Sequence, residues 1–346
     1  MRLSVIIPVR NGVGHIHHCL EALSTSTRLP DEVIVVDDSS TDWSADIARQ
    51  FDAQVIELRN GPFGPATARN RGAASARGNV LVFIDADVLI HPETLEKMCQ
   101  ILIAHPEIDA LFGSYDESPP YRGIVSLYKN LQHHYVHQNS RREASTFWAG
   151  CGAVRREIFL NLSGFDESYI RPSVEDIELG LRMVQSGYRI WLCPQVQATH
   201  LKEWTIWNWL RADILDRAVP WTQLIFQTAH LPSDLNLDTK SRVSAVAAWG
   251  AVLSFGSGFL FPPVWTGTLL AATVIGFLNR DLYRFFASKG GTLFAIRSFG
   301  LHTLYYLYSS LTFVVLFAWH KFNRRISERP KTSKWSKRIS EEPQYD

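Results

Sequence analysis

Val80-Leu81-Val82-Phe83-Ile84-Asp85-Ala86-Asp87 runs five apolar residues directly into two carboxylates. Such a run, apolar without alternation, suits a strand covered on both faces, as in a parallel sheet packed between helices. Three similar runs precede it: SVIIPV at 4–9, EVIVVDD at 32–38 and QVIEL at 54–58. Helical patterns separate them, so the alternation predicts an α/β domain with crossover helices. Ligands of such sheets bind outside the carboxyl ends of the strands. Three runs end there in polar residues: Arg10-Asn11, Asp37-Asp38 and Asp85 with Asp87. The first strand lacks a following GxGxxG, and there is no Walker A motif, so the phosphate loops of dinucleotide and P-loop proteins are missing.

Each polar cluster has an ordinary reading and a chemical one. Asp85 and Asp87 form a DxD triplet, common on surfaces. A buried strand that ends in two carboxylates is costly without a counter-ion, and hard oxygen donors suit Mg2+ or Mn2+ bridging the phosphates of a nucleotide. Asp37-Asp38-Ser39-Ser40-Thr41 supplies helix-capping side chains, while Asp38 can also accept hydrogen bonds from a base or ribose. Gly61-Pro62-Phe63-Gly64-Pro65 leads into a helix carrying Arg69 and Arg71, which offers amides and cations to a diphosphate. Glu175-Asp176 opens the helix DIELGLRMVQSG, where acids favour the helix dipole.

Taken in order, SVIIPVRN (4–11), VIVVDDSSTD (33–42), GPATARNRG (64–72), VFIDAD (82–87), SGFDESY (163–169) and VEDIELGLR (174–182) resemble the inverting family 2 glycosyltransferases of GT-A fold. The likeness covers residues 3 to about 200. It implies a nucleotide-diphospho-sugar transferase with a Rossmann-like mixed sheet. Pro8, Asn11, Asp38, Arg69 and Asp85 would hold the nucleotide sugar, and Asp87 with Asp85 would ligate Mg2+ or Mn2+. Asp176, beside Glu175, would be the base. The resemblance also places an acceptor loop at Trp148, Gly150, Cys151 and Gly152, and a further metal or phosphate ligand at His200. Arg217-Ala218-Val219-Pro220-Trp221 is loosely similar to the QxxRW element of processive synthases but lacks its glutamine. A polymer channel is therefore not implied, although Arg217 is still expected to reach the diphosphate.

The inverting chemistry fits these residue types. One carboxylate takes the proton of the acceptor hydroxyl as it attacks the anomeric carbon. Cations stabilise the departing diphosphate, and no nucleophilic side chain is needed.

The rest of the chain has a different composition. The 346 residues carry 35 Lys+Arg against 34 Asp+Glu, 46% hydrophobic and 20% charged residues, which excludes wholesale disorder. The basic excess sits in the last 26 residues, Lys321–Asp346, with eight basic and four acidic side chains, so nucleic-acid binding is not indicated. No charged residue lies between Arg242 and Arg280, a window of 37 residues broken by Pro262-Pro263, nor in Ser298–His320. A bilayer core takes about 20 apolar residues per helix, so membrane helices are expected near 243–261, 264–279 and 299–319. Four of the 11 tryptophans, Trp204, Trp207, Trp209 and Trp221, cluster in 203–230 and suggest interfacial helices. Cys19, Cys99, Cys151 and Cys193 are scattered, as expected of core thiols in a reducing compartment, and the N-terminus lacks a secretory pattern.

The expected organisation is therefore a cytosolic catalytic domain at 1–202, amphipathic interfacial helices at 203–240, transmembrane helices within 241–320 and a basic cytosolic tail at 321–346. The expected function is a multi-pass inner-membrane transferase moving sugar from a nucleotide to a lipid or lipid-linked saccharide. A soluble saccharide acceptor or a membrane-bound nucleotidyltransferase stands as the alternative.

Overall fold

The structure, a computed structural model, describes residues 1–228 and 238–322. The chain divides into two compact units. Of the described residues, the first comprises Met1–Tyr115 and Arg141–Leu201, and the second Asp116–Ser140 and those from Lys202 to Phe322.

The first unit is built on β1 (Leu3–Val9), β2 (Glu32–Asp38), β3 (Gln54–Leu58), β4 (Val80–Ile84), β5 (Val88–Ile90), β6 (Ala110–Tyr115), β7 (Glu143–Ala144), β8 (Cys151–Arg155) and β9 (Ile190–His200). The sheet runs in the order β3-β2-β1-β4-β8-β6-β9-β5, with β7 beside β9. All four strands expected from the apolar runs form, and β3, β2, β1 and β4 are parallel neighbours. Beyond β4 the sheet is mixed, since β8 is antiparallel to both β4 and β6. The apolar runs are continuous because both faces are buried. In β4, Val80, Val82 and Ile84 join one core cluster while Leu81 and Phe83 join the other.

Helices α1 (Ile16–Ser24), α2 (Ser44–Arg49), α3 (Pro65–Ser75), α4 (Thr94–Ala104) and, after the excursion into the second unit, α6 (Arg156–Asn161) and α7 (Glu175–Gln185) belong to this unit. In α1, Ile16, Cys19, Leu20 and Leu23 give the spacing of one buried helical stripe. Helix α3 starts with Pro65 directly after Gly64, whose φ is +95°. A Cβ at Gly64 would lie 2.4 Å from the carbonyl oxygen of Ile170, so the sharp entry requires glycine there. All four cysteines are free and buried, as their scatter predicts.

The second unit contains α5 (Ile124–Asn139), α8 (Ile206–Arg211), a π-helical turn at Ala212–Ala218, α9 (Val219–Thr228), α10 (Thr239–Gly258), α11 (Trp265–Leu278) and α12 (Arg280–Phe322). Three sequence expectations change here. Residues 116–140 group with this unit rather than with 1–202, because Tyr128 and Leu131 of α5 pack into a core with Trp204, Trp209, Leu282 and Phe286. Trp204 and Trp209 are accordingly core residues rather than part of an interfacial belt, whereas Trp207 is exposed. Of the three expected membrane helices, only that near 299–319 falls in a described helix long and apolar enough to cross a bilayer, Arg280–Phe322, which is bent at Gly291 (φ 82°). Helix α11 has 14 residues, and α10 dilutes its apolar residues with serine, glycine and alanine. Residues 229–237 of the expected interfacial segment and 323–346 of the basic tail lie outside the described residues.

Phe83 is fully buried and meets the rings of Phe147, Phe159 and Phe165 at centroid distances of 5.1–6.4 Å. Phe83→Ala is expected to destabilise the first unit by about 3–5 kcal/mol, read as a lower urea midpoint of its unfolding transition.

Candidate active site

Parallel pairing of β1 with β2 and β4 brings three strand ends to one edge of the sheet, each with its polar terminus. The residues gathered there hold one another in place.

Arg69, on α3 and 4% exposed, is the central link. Its guanidinium donates to Asp85 Oδ1 at 2.7 Å and to Glu175 Oε1 at 2.8 Å. It thereby ties the end of β4 to the first turn of α7. Burial opposes its charge, but Asp85, Glu175 and Asp176 outweigh burial and raise its pKa above the ordinary arginine value. The guanidinium also lies 5.5 Å from the ring centre of Phe165. The neighbouring Asn70, fully buried, accepts from the Phe165 N–H and donates to the Phe165 carbonyl, both at 2.9 Å. Arg69 was expected to face the nucleotide; its hydrogen-bond partners are acids of the site.

Asp176 stands half-buried in the first turn of α7. Its Oδ2 accepts from the Ala149 N–H at 3.1 Å and its Oδ1 from the Ile177 N–H at 2.8 Å. Burial first, and then the Glu175 carboxylate, push its pKa well above the usual carboxylate range, against the opposing pull of Arg69. A carboxyl raised in this way is suited to proton transfer near neutral pH. Glu175 differs: it is buried, bound to Arg69, and its Oε2 accepts from the Ser173 N–H at 2.8 Å, so it supports the site without facing it.

Asp87 and His200 meet at 3.5 Å between Oδ2 and Nε2. The His200 ring stacks on Tyr115 at 4.4 Å with 9° between planes, and Tyr115 in turn meets Trp148 edge-on at 4.7 Å. One carboxylate and one imidazole fit Mg2+ or Mn2+, whose remaining positions a diphosphate and water would fill. Asp85, expected as a second carboxylate ligand, has one oxygen committed to Arg69. No group of three metal-ligating side chains occurs among the described residues.

The other expected contacts fall into two groups. Asn11 caps the β1 end, its Oδ1 accepting from the Thr41 N–H at 2.8 Å, and it is exposed beside half-buried Pro8. Asp38, expected to face a base or ribose, is buried. Its two oxygens accept from the N–H groups of Phe63 and Gly64, both at 2.8 Å, and so fold the Gly-Pro loop. Trp148 is half-buried, and a Cβ at Gly150 would meet its indole at 2.8 Å, which accounts for the glycine. Cys151 and Gly152, expected to touch the acceptor, lie buried in β8. Burial, reinforced by Asp85, pushes the Cys151 thiol up to about 12, so it acts as a core residue. Arg217 lies in the second unit, 3.4 Å from Asp213. Tyr115 and the Ala149 amide were not legible beforehand, because a strand aromatic and a backbone N–H carry no motif.

Arg69→Met leaves two partly or fully buried carboxylates without their cation and is expected to cost about 3–5 kcal/mol, measured as a loss of thermal stability. Asp38→Ala is expected to loosen the 61–64 loop, read as increased proteolysis there while the core stays intact.

Residues 4–162 match the family model described as Glycosyl transferase family 2. The glycosyltransferase GlyA of Streptococcus pneumoniae is 30% identical over 117 residues, 33% of this chain and 17% of that protein. The O-antigen chain rhamnosyltransferase WbaN of Salmonella anatum is 24% identical over 64% of this chain and 75% of its own. The chain spans less than two thirds of the length of several curated relatives that it matches. Among solved structures, the mannosyltransferase PcManGT from Pyrobaculum calidifontis, in complex with GDP-Man and Mn2+, superposes with a TM-score of 0.56 at 18% identity, covering 90% of this chain and 87% of that one. The shared fold is the GT-A-like mixed sheet described above. Residues 4–162, a little under half of the chain, are thus similar to glycosyl transferase family 2.

Proposed function

We propose that the protein is a membrane-bound, inverting glycosyltransferase that moves a sugar from a nucleoside diphosphate to a hydroxyl of a lipid or lipid-linked saccharide. The observation that carries the reading is Asp176, half-buried and raised in pKa, held by the Ala149 amide beside the Arg69–Glu175 pair. A nucleotide-sugar donor draws support from the GDP-Man and Mn2+ in PcManGT, and an envelope-glycan acceptor from the name of WbaN. Membrane residence, with the first unit on the cytosolic side of the inner membrane, draws support from the length and composition of α12.

In this reading Asp176 accepts the proton of the acceptor hydroxyl as its oxygen bonds to the anomeric carbon. The bond from that carbon to the phosphate oxygen breaks, its electron pair leaves with the nucleoside diphosphate, and the anomeric configuration inverts. Glu175 keeps Asp176 basic by raising its pKa, and Arg69 keeps Glu175 and Asp85 in place. Asp87 and His200 would hold the Mg2+ or Mn2+ that neutralises charge on the diphosphate. Asn11 and Pro8 border the nucleotide at the end of β1. The half-buried Trp148 offers an indole face to the acceptor.

Asp176→Asn is expected to lower kcat/KM by about 10^2–10^4-fold while nucleotide binding, measured by calorimetry, persists. Retained transfer would remove Asp176 as the base. Asp176 must be ionised to act and its pKa is raised, so activity should be present above that pKa. It should be lost as pH falls through it, at a pH higher than an ordinary carboxylate would give. Glu175→Gln should move this acidic limb to lower pH. Chelation by EDTA should abolish transfer and Mn2+ restore it. Transfer to polyprenyl-phosphate or glycolipid acceptors in detergent tests the acceptor, and turnover with soluble sugars alone overturns the lipid assignment.

A further inference from the structure

Helices α10 and α11 form a hairpin whose charged side chains all sit at its base. Lys240 and Arg242 stand there on α10, and Arg280 follows α11 after Asn279; no charged residue lies between Arg242 and Arg280. The side-chain hydrogen bonds from the hairpin to α12 begin at this base. Asn279 donates to Ser244 Oγ and accepts from Tyr306 Oη, both at 3.0 Å, and Ser244 is fully buried. Further along, Trp249 donates to Ser310 Oγ at 2.9 Å. At the tip, Phe259, Leu260 and Phe261 project from the turn, with Leu260 91% exposed, and Pro262-Pro263 follow without an ionisable or amide side chain.

Two features decide what surrounds this element. Leu253 and Phe255 are both more than half exposed, yet they stand two residues apart and so point to nearly opposite sides of α10. A protein partner or a second copy would cover one side; apolar residues on opposite sides call for an apolar solvent. Helix α11 with the 3-10 turn before it, Pro262–Leu278, is a run of 17 residues, about 25 Å at the helical rise of about 1.5 Å per residue, against a hydrocarbon core of about 30 Å. The return limb is thus shorter than the core, and the tip carries no charged or amide side chain for water on a far side to solvate.

We infer that the α10–α11 hairpin enters the bilayer tip first and returns to the side it came from, with its basic base among anionic headgroups and its tip in hydrocarbon. The inference rests on the membrane residence proposed above and replaces the two crossings expected near 243–261 and 264–279. It leaves α12 as the one crossing candidate among the described helices.

The test uses the full chain in phosphatidylcholine/phosphatidylglycerol vesicles with single reporters Leu260→Cys, Lys240→Cys and Arg280→Cys; the four native cysteines are buried. Flotation first establishes vesicle binding. Lys240→Cys and Arg280→Cys should then react with a membrane-impermeant maleimide from the same side. Leu260→Cys should react at least tenfold more slowly from either side than in detergent-free unfolded protein. Its bimane adduct should be quenched most by nitroxides deep in the acyl chains. Labelling of Leu260→Cys from the side opposite Lys240→Cys would establish two crossings and overturn the inference while leaving membrane residence standing. Equal labelling of all three from one side, or disulfide pairing of Leu260→Cys between copies, would place the tip in water or in a dimer and overturn it as well. Failure to float would overturn both readings together.

Discussion

The guanidinium of Arg69 sits among Asp85, Glu175 and Asp176, in a place where a lone charge of either sign would be expensive. Its geometry lets one side chain on α3 satisfy two carboxylates from segments far apart in the chain, which a lysine ammonium could not do with the same two-sided reach. The end of β4 and the first turn of α7 are therefore held at fixed separation. The Asn70–Phe165 clasp, one residue along the same helix, fixes the loop that leads toward α7. The proposed base owes its position and its raised pKa to neighbours that this one cation keeps in register.

A similar logic governs the opposite side of the strand edge. Asp38 spends both oxygens on the amides of Phe63 and Gly64, so the Gly-Pro loop is folded by the end of β2 before any ligand arrives. Such preorganisation places amides and strand ends without ordering costs at the moment of binding. The second unit has its own buried ionic centre. Asp213 accepts from Lys129, Trp209 and Tyr308 at 2.6–3.1 Å, and although burial alone would raise its pKa, Lys129 and Arg217 hold it at about 2. Of the tryptophans that looked like a membrane belt, Trp209 is drawn inward by this centre through its indole N–H, while Trp207 stays exposed.

The four parallel strands and the order of the motifs were legible because each apolar run is local and its period is unmistakable. The partners of those motifs were not. DxD read as a metal-binding pair with Asp87 foremost; Asp85 faces a cation from α3 and Asp87 faces an imidazole at the end of β9. Which neighbour each carboxylate meets depends on strand order and on the turn after β4, and neither is written in a triplet of residues. The burial of Cys151 and Gly152 was hidden for the same reason. A glycine-rich string looks open in sequence, whereas antiparallel pairing with β4 buries it.

By itself the sequence determined the four parallel strands of the first unit, the place of its ligand edge and the uncharged length of the last third. These follow from the composition and spacing of neighbouring residues. Only the tertiary structure decided that Arg69 bridges the acids, that Tyr115 stacks on His200 and that α5 joins the second unit. Those outcomes turn on contacts between residues tens to more than a hundred positions apart. Burial and charge pairing choose among arrangements that the local pattern leaves equally open.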